Sequence, residues 1–292
     1  MKSNAKPIWV AGILLLTLST FFYACKKEVS ATGGDIPTGN TKFSIYLTDG
    51  PLDFEKVLID IQQIAVKIDT CHRNHDADHN HSGCDDDHDQ QNSNCEIWDT
   101  LSIRPGIYDL LTLRNGLDTL LASGFILNGK IERIKFTLGD SNSVQADSVV
   151  YPLKLVNNQH FVYVNVGREH LDSLSSNNFQ LYLDFDLARS IRYINGQYWL
   201  KPVLKPFGRH SSGEIEGKIR PAHSFGMIKA YNATDTAFAL PKNEGEFKIR
   251  GLKEGTYSLF IDGINGYKDT TINSVNVTRN RETKLGTILL HQ

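Results

Sequence analysis

"FQLYLDFDL" (Phe179–Leu187) alternates without a break. Phe179, Leu181, Leu183, Phe185 and Leu187 share one face, and Tyr182, Asp184 and Asp186 share the other. Successive side chains of an extended strand point to opposite faces. The stretch therefore predicts a strand with one face for a core and one polar face. Outward from it the same period recurs. "KFSIYL" (Lys42–Leu47), "KIERIKFTL" (Lys130–Leu138), "SVVYPLKL" (Ser148–Leu155), "FVYVNV" (Phe161–Val166) and "QYWLKPVL" (Gln197–Leu204) are strand-like runs between Gly, Asn, Asp and Ser. In "EKVLIDIQQIAVKI" (Glu55–Ile68) the apolar positions are odd at Val57, Ile59 and Ile61. They turn even at Ile64, Val66 and Ile68. One strand keeps one parity, so a β-bulge or break is predicted near Gln62 and Gln63. "NGLDTLLASG" (Asn115–Gly124) reads as a short helix. Many short strands with few helical patterns predict an all-β chain of β-sandwiches.

The 292 residues suggest about two domains behind a leader. A net charge of −2 gives no reason to expect nucleic acid as a partner. Lys2 and Lys6 precede an apolar run, "PIWVAGILLLTLSTFFYA" (Pro7–Ala24), and then Cys25. This reads as a secretory signal over residues 1–24, with Ala24-Cys25 resembling the end of a lipobox. Phe22 and Tyr23 depart from the usual lipobox residues. The alternative is an uncleaved N-terminal anchor. Both place the body outside the cytoplasm and tethered to a membrane, with acyl chains on Cys25 in the first case. Residues 25–40 are polar and rich in Gly, Ser and Thr, a flexible tether. The first sandwich is expected over residues 41–207. "KPFGRHSSG" (Lys205–Gly213) marks a boundary, and a second small β domain is expected over residues 213–292.

Two resemblances follow from particular segments. "LTDGP" (Leu47–Pro51), "PGIYDLLTLRNG" (Pro105–Gly116), "LLASG" (Leu120–Gly124), "IKFTLGDSN" (Ile134–Asn142), "LDFDLARSI" (Leu183–Ile191) and "YWLKPVLKP" (Tyr198–Pro206) resemble the DUF4382 family of Bacteroidetes lipoprotein domains. Gly50 stands where Ala is usual. The resemblance implies an extracytoplasmic lipoprotein and no particular activity; the expected location is the outer membrane, on its periplasmic or cell-surface face. Residues 213–290 resemble the prealbumin-like repeat of carboxypeptidase regulatory domains. The resemblance is carried by "IEGKI" (Ile215–Ile219), Gly245, Phe247, Ile249, Leu252, Gly255, Tyr257 and Leu259. It implies a seven-stranded sandwich of the carbohydrate-binding-like kind, used as an accessory module. Phe247, Ile249, Tyr257 and Leu259 are expected to face inward on paired strands, with Gly255 at the tight turn.

The segment Cys71–Cys95 differs from the rest. It holds five of the ten histidines and three of the four cysteines, and six aspartates against one arginine. In the family resemblance it falls between two strands, as a long insertion. With almost no apolar residue it cannot bury itself. Three readings compete. His72, His75, His79, His81 and His88, with Asp78 and Asp86, offer imidazole and carboxylate ligands for Zn²⁺ or another divalent transition metal. "DHNHSGCDDDHD" (Asp78–Asp89) matches EF-hand spacing for Ca²⁺, but it lacks the flanking helices and ranks below the transition metals. The third reading is a solvated acidic loop stapled at its mouth by Cys71 and Cys95, although pairings through Cys84 stay open.

Elsewhere Asp49 and Asp140 read as turn caps, and Asp184 with Arg189 as a pair on a wet face. Tyr198 and Trp199 form a candidate aromatic platform, with core packing of one ring as the alternative. No Gly-x-Ser-x-Gly elbow, P-loop, dinucleotide fingerprint or HExxH helix occurs, so no enzyme class is indicated. The sequence thus predicts a non-enzymatic, membrane-anchored binding or display module that takes divalent metal through residues 71–95. The rival is a surface lipoprotein that binds carbohydrate through its C-terminal sandwich.

Overall fold

The structure is a computed structural model that describes residues 35–49, 54–71, 95–113 and 117–292. It is almost entirely β, with several sheets forming sandwich-like domains. In chain order the first strands are β1 (Asn40–Asp49), β2 (Lys56–Asp69), β3 (Glu96–Thr100), β4 (Ser102–Ile103) and β5 (Gly106–Asp109). Next come β6 (Thr119–Leu127), β7 (Lys130–Leu138), β8 (Ser143–Ala146), β9 (Val149–Leu155) and β10 (Phe161–Asn165). Then follow β11 (Leu171–Ser175), β12 (Asn178–Phe185), the one-turn helix α1 (Leu187–Ser190), β13 (Ile191–Ile194), β14 (Gln197–Leu200) and β15 (Leu204–Phe207). The remainder is β16 (Gly213–Arg220), β17 (Phe225–Tyr231), β18 (Thr236–Ala239), β19 (Glu246–Leu252), β20 (Gly255–Gly263), β21 (Thr270–Val277) and β22 (Glu282–Leu289).

The first sandwich stacks two sheets. One runs β11-β12-β1-β6-β4, with β15 also paired to β12. The other runs β10-β7-β2-β8-β9-β14-β13, with β3 and β5 also paired to β2. Between them Leu181, Leu183 and Phe185 of β12 meet Phe43, Ile45 and Leu47 of its parallel neighbour β1 in one buried cluster. The parity change in β2 is a bulge in a single strand. Its register against β7 shifts between Ile61 and Gln63. Gln62 and Gln63 are exposed, while Val57, Ile59 and Ile61 before them and Ile64, Val66 and Ile68 after them are buried.

A second buried cluster, from Ile215 to Leu290, lies between β19-β16-β22 and β18-β17-β20-β21. That is the expected count of seven strands. Residues Ile36–Gln292 together form one compact unit.

Three expectations need correction. From Thr119 onward the segment read as a short helix is strand β6, paired with β1 on one side and β4 on the other, while Asn115 and Gly116 lie outside the described residues. Its register against β1 is irregular opposite Ile45 and Tyr46, so Leu121 and Ala122 are buried consecutively. That doublet breaks the period-two signal and imitates a helical face. Phe247, Ile249, Tyr257 and Leu259 are all buried, but β19 and β20 do not pair with each other. They lie in opposite sheets, so the chain crosses the core between them.

The polar face of β12 is not a wet face. Tyr182 is 5% exposed. It stacks on Tyr46 at 5.0 Å between centroids and lies under the Arg209 guanidinium at 4.5 Å. β12 thus buries one face in the sandwich and the other beneath the chain leading to the second sandwich. Truncating its core side tests that packing. Leu183→Ala should destabilise the protein by about 2–5 kcal/mol through lost burial and a cavity, read as a shift in the urea midpoint at unchanged slope.

Candidate functional site

β2 and β3 form the antiparallel pair from which the insertion emerges, with Asp69 opposite Glu96. Cys71 and Cys95 are joined by a disulfide, their Cα atoms 5.3 Å apart. The Thr70 N–H and hydroxyl both donate to the Cys95 carbonyl, at 2.9 and 3.1 Å. The Cys71 N–H donates to Asp69 Oδ1 at 3.0 Å. The mouth of the insertion is therefore fixed by one covalent and three polar links. His72, His75, Asp78, His79, His81, Asp86 and His88 lie outside the described residues, as do Cys25 and the EF-hand-like stretch. Among the described residues no group of three or more His, Cys, Asp or Glu could hold a metal ion.

Beside the mouth is a cavity of about 510 Å³. Ile126, Ile131, Leu171 and Phe179 give it apolar walls, while Asp69 and Arg168 add charge. Its lining comes from several separate elements, which is why no contiguous motif announced it. A second, more polar cavity of about 600 Å³ is lined by Trp199, Asp140, Lys154, Asn157 and Asn158 among others. Trp199 of the proposed aromatic pair thus borders a cavity. Tyr198 instead packs against Phe54, Tyr151 and Tyr193, with centroids 5.5, 5.5 and 4.7 Å away.

The polar residues of the recurring segments mostly hold backbone. Asn142 Oδ1 accepts from the Asp60 N–H at 2.9 Å, and its amide donates to the Gly139 carbonyl at 2.7 Å. Asp60 Oδ2 accepts from the Ser141 N–H at 3.2 Å. A Cβ at position 139 would come within 2.0 Å of Asp60 Oδ2, so a larger residue there would displace that carboxylate. Asp186 caps α1, accepting from the Arg189 N–H at 2.9 Å and from Arg189 Nε at 2.6 Å. The partner of Arg189 is therefore Asp186, not Asp184 as the strand parity suggested. Asp140 is largely exposed and 3.7 Å from His160 Nε2 rather than acting as a turn cap. The Asp49 side chain lies outside the described residues.

Asp184 instead faces the seam between the sandwiches, bordering a small void with Thr48, Phe207, Phe238 and Arg250. Burial, then the neighbouring Asp186 carboxylate, pushes its pKa up to about 7 against the pull of Lys205 and Arg189. Around it the seam is ionic. Asp118 accepts from Arg209 and, at 3.2 Å, from Arg250 Nη1. Lys205 pairs with Asp235, which also accepts from the Tyr257 hydroxyl at 2.7 Å.

Residues 40–202 match the family described as "Domain of unknown function (DUF4382)". The chain belongs to this family. The DUF4382 domain thus covers the whole first sandwich except β15. No curated protein matches the chain. Among solved structures, a type II cohesin–X-dockerin complex from Acetivibrio cellulolyticus is 25% identical, covering 27% of this chain and 56% of that one, with a TM-score of 0.23. The shaft pilin SpaA from Lactobacillus rhamnosus GG is 10% identical over 86% of this chain and 97% of the pilin, with a TM-score of 0.22. A minor pilin from Streptococcus agalactiae is 10% identical over 85% and 95%, also at 0.22. Likeness at that level carries no argument about ligand or partner.

Asp184 gives a pH test. Its folded pKa is raised, so its contribution to stability is complete below the unfolded value near 3.8 and is lost as pH rises through about 7. Asp184→Asn keeps the neutral form at every pH. Its melting temperature relative to the parent should therefore climb between pH 4 and pH 8, and a difference that stays flat would contradict the burial.

Proposed function

We propose that the protein is a membrane-anchored extracytoplasmic lipoprotein, acylated at Cys25, that serves as a non-enzymatic binding and display module. The observation that carries this reading is the disulfide closing the mouth of the insertion. Structural disulfides persist in oxidising compartments. The signal-like residues 1–24 point the same way. The engagement of Asp60, Asn142 and Asp186 with backbone groups supports a scaffold role for the DUF4382 domain over a catalytic one. In this reading the protein is an outer-membrane lipoprotein of the Bacteroidetes type, facing the periplasm or the cell exterior. Its second sandwich is a carboxypeptidase regulatory-like accessory domain.

The ligand proposed for the insertion is a divalent transition metal such as Zn²⁺. His72, His75, His79, His81 and His88 supply imidazole, and Asp78 and Asp86 supply carboxylate. Calcium is the subordinate candidate. The rival reading, carbohydrate recognition by the C-terminal sandwich, has a place to act. A groove of about 500 Å³ runs over β16, β19 and β22, lined by Lys218, Lys242, Lys248 and Lys284 with Glu216 and Glu246. It offers a sugar no exposed ring, because Phe247 beneath it is only 3% exposed. Three of its lysines are already paired, Lys218 with Glu246 at 3.0 Å, Lys248 with Glu214 at 3.1 Å and Lys284 with Glu216 at 2.8 Å.

Isothermal titration with Zn²⁺ separates the readings. The parent should bind, and a variant lacking residues 72–94 should lose that binding while keeping the parent's near-UV circular dichroism. Equal Zn²⁺ binding by both proteins would remove the insertion from the account.

A further inference from the structure

Across four neighbouring strands of the larger sheet the outer face carries three exposed aromatic rings. Trp98 on β3 is 42% exposed, and Phe161 and Tyr163 on β10 are 47% and 51% exposed. Tyr163 lies opposite Lys135 of β7, Lys135 opposite Ala65 of β2, and Ala65 opposite Thr100 of β3. One row further along run Asn165, Arg133, Lys67 and Trp98. These pairings put all of them on one face. Ala65 contributes only a methyl group between the outer strands. The Trp98 and Tyr163 ring centroids lie 6.3 Å apart, edge to face. Lys135 Nζ sits between rings, 5.2 Å from the centroid of Trp98 and 5.6 Å from that of Phe161. Arg133 Cζ lies 5.9 Å from the centroid of Tyr163.

The charges on this face are uneven. Lys67 is held by Glu96 at 2.6 Å and Glu132 at 3.6 Å. Lys135 and Arg133 have no carboxylate within ion-pair distance among the described residues. Arg133 Nε donates only to Asn165 Oδ1, at 2.8 Å. Exposed rings are costly on a protein that gains nothing from them, and contiguous ones mark an interaction surface. Flat rings that also hold two cations with no carboxylate partner among the described residues select a ligand with apolar faces and negative charge. The four strands span about 14 Å, the reach of a short oligosaccharide.

We infer that the Trp98–Phe161–Tyr163 ledge, with Lys135 and Arg133, is a binding site for an acidic glycan. Sugar rings stack on the aromatic faces, and carboxylate or sulfate groups meet the two cations. This site is on the DUF4382 domain, separate from the C-terminal groove and independent of metal at the insertion. An acidic peptide or a single-stranded nucleic acid would share part of this chemistry. The disulfide-compatible compartment and the ring spread over a flat sheet favour the glycan.

The test uses the full-length protein and titrates oligogalacturonate (carboxylate), dextran sulfate (sulfate), neutral cellohexaose, polyglutamate and oligo-dT. Either or both acidic glycans should bind, and which one does identifies the anionic group. Their affinity should fall as salt rises. Trp98→Ala and Tyr163→Ala should each weaken binding about tenfold, whereas Tyr163→Phe should retain most of it. Lys135→Gln with Arg133→Gln should weaken acidic glycan and flatten the salt dependence, and Lys135→Arg should restore it. Unchanged melting temperatures show that these variants remain folded. The inference is overturned if neither acidic glycan binds, if polyglutamate or oligo-dT binds as tightly, or if cellohexaose binds equally. It is also overturned if binding survives the ledge variants, which would move it to the C-terminal groove.

Discussion

The rest of the structure depends on burial of both faces of β12. Its apolar face joins β1 in the core of the first sandwich. Its other face, with Tyr182 and Asp184, lies under Arg209 and the second sandwich, with β15 paired alongside it in the sheet. Covering a strand on both sides removes polar groups from water, and each must then find a partner. The partners are here. Arg209 and Arg250 meet at Asp118, Lys205 meets Asp235, and the Asp172 carboxylate accepts from the backbone of Arg209 and His210 at 2.7 and 3.0 Å. Ion pairs in a half-buried seam contribute more to fixing one geometry than to raw stability. The packing is tight as well. Gly251 adopts a φ of +69°, and a Cβ there would lie 2.9 Å from the Phe207 ring.

That seam sorts the surface of the first sandwich by role. The six-stranded sheet meets the second sandwich at the outer face of β12, through Tyr182 and Asp184. Among the described residues, Trp98, Phe161 and Tyr163 are exposed on the outer face of the nine-stranded sheet, and β2 and β3 of that sheet root the stapled insertion. Cys95 and Trp98 are three residues apart, so the same strand anchors both features. Asp60, Asn142 and Asp186 hold backbone turns through their side chains.

Much of this could be read from the chain. Period-two alternation located the main strands, and the parity change in Val57–Ile68 located the bulge to the residue. The insertion was placed between the correct two strands. What escaped was set by tertiary contact. Alternation shows that β12 has two chemically different faces, but not that the polar one is covered. The Leu121–Ala122 doublet disguised β6 because its irregularity falls in a short strand, with too few apolar residues on either side to show a parity change as β2 does. Inward-facing residues of β19 and β20 were recognised, yet alternation cannot tell hairpin partners from strands in opposing sheets. Trp98, Lys135 and Tyr163 come from three distant segments, and only the strand order β10-β7-β2-β3 assembles them.

The central claim is that the two sandwiches are welded into one body across β12. Differential scanning calorimetry of the full-length protein tests it most directly. The account predicts one cooperative transition with equal calorimetric and van't Hoff enthalpies. Two independent transitions, unaffected by Asp118→Ala, would contradict it.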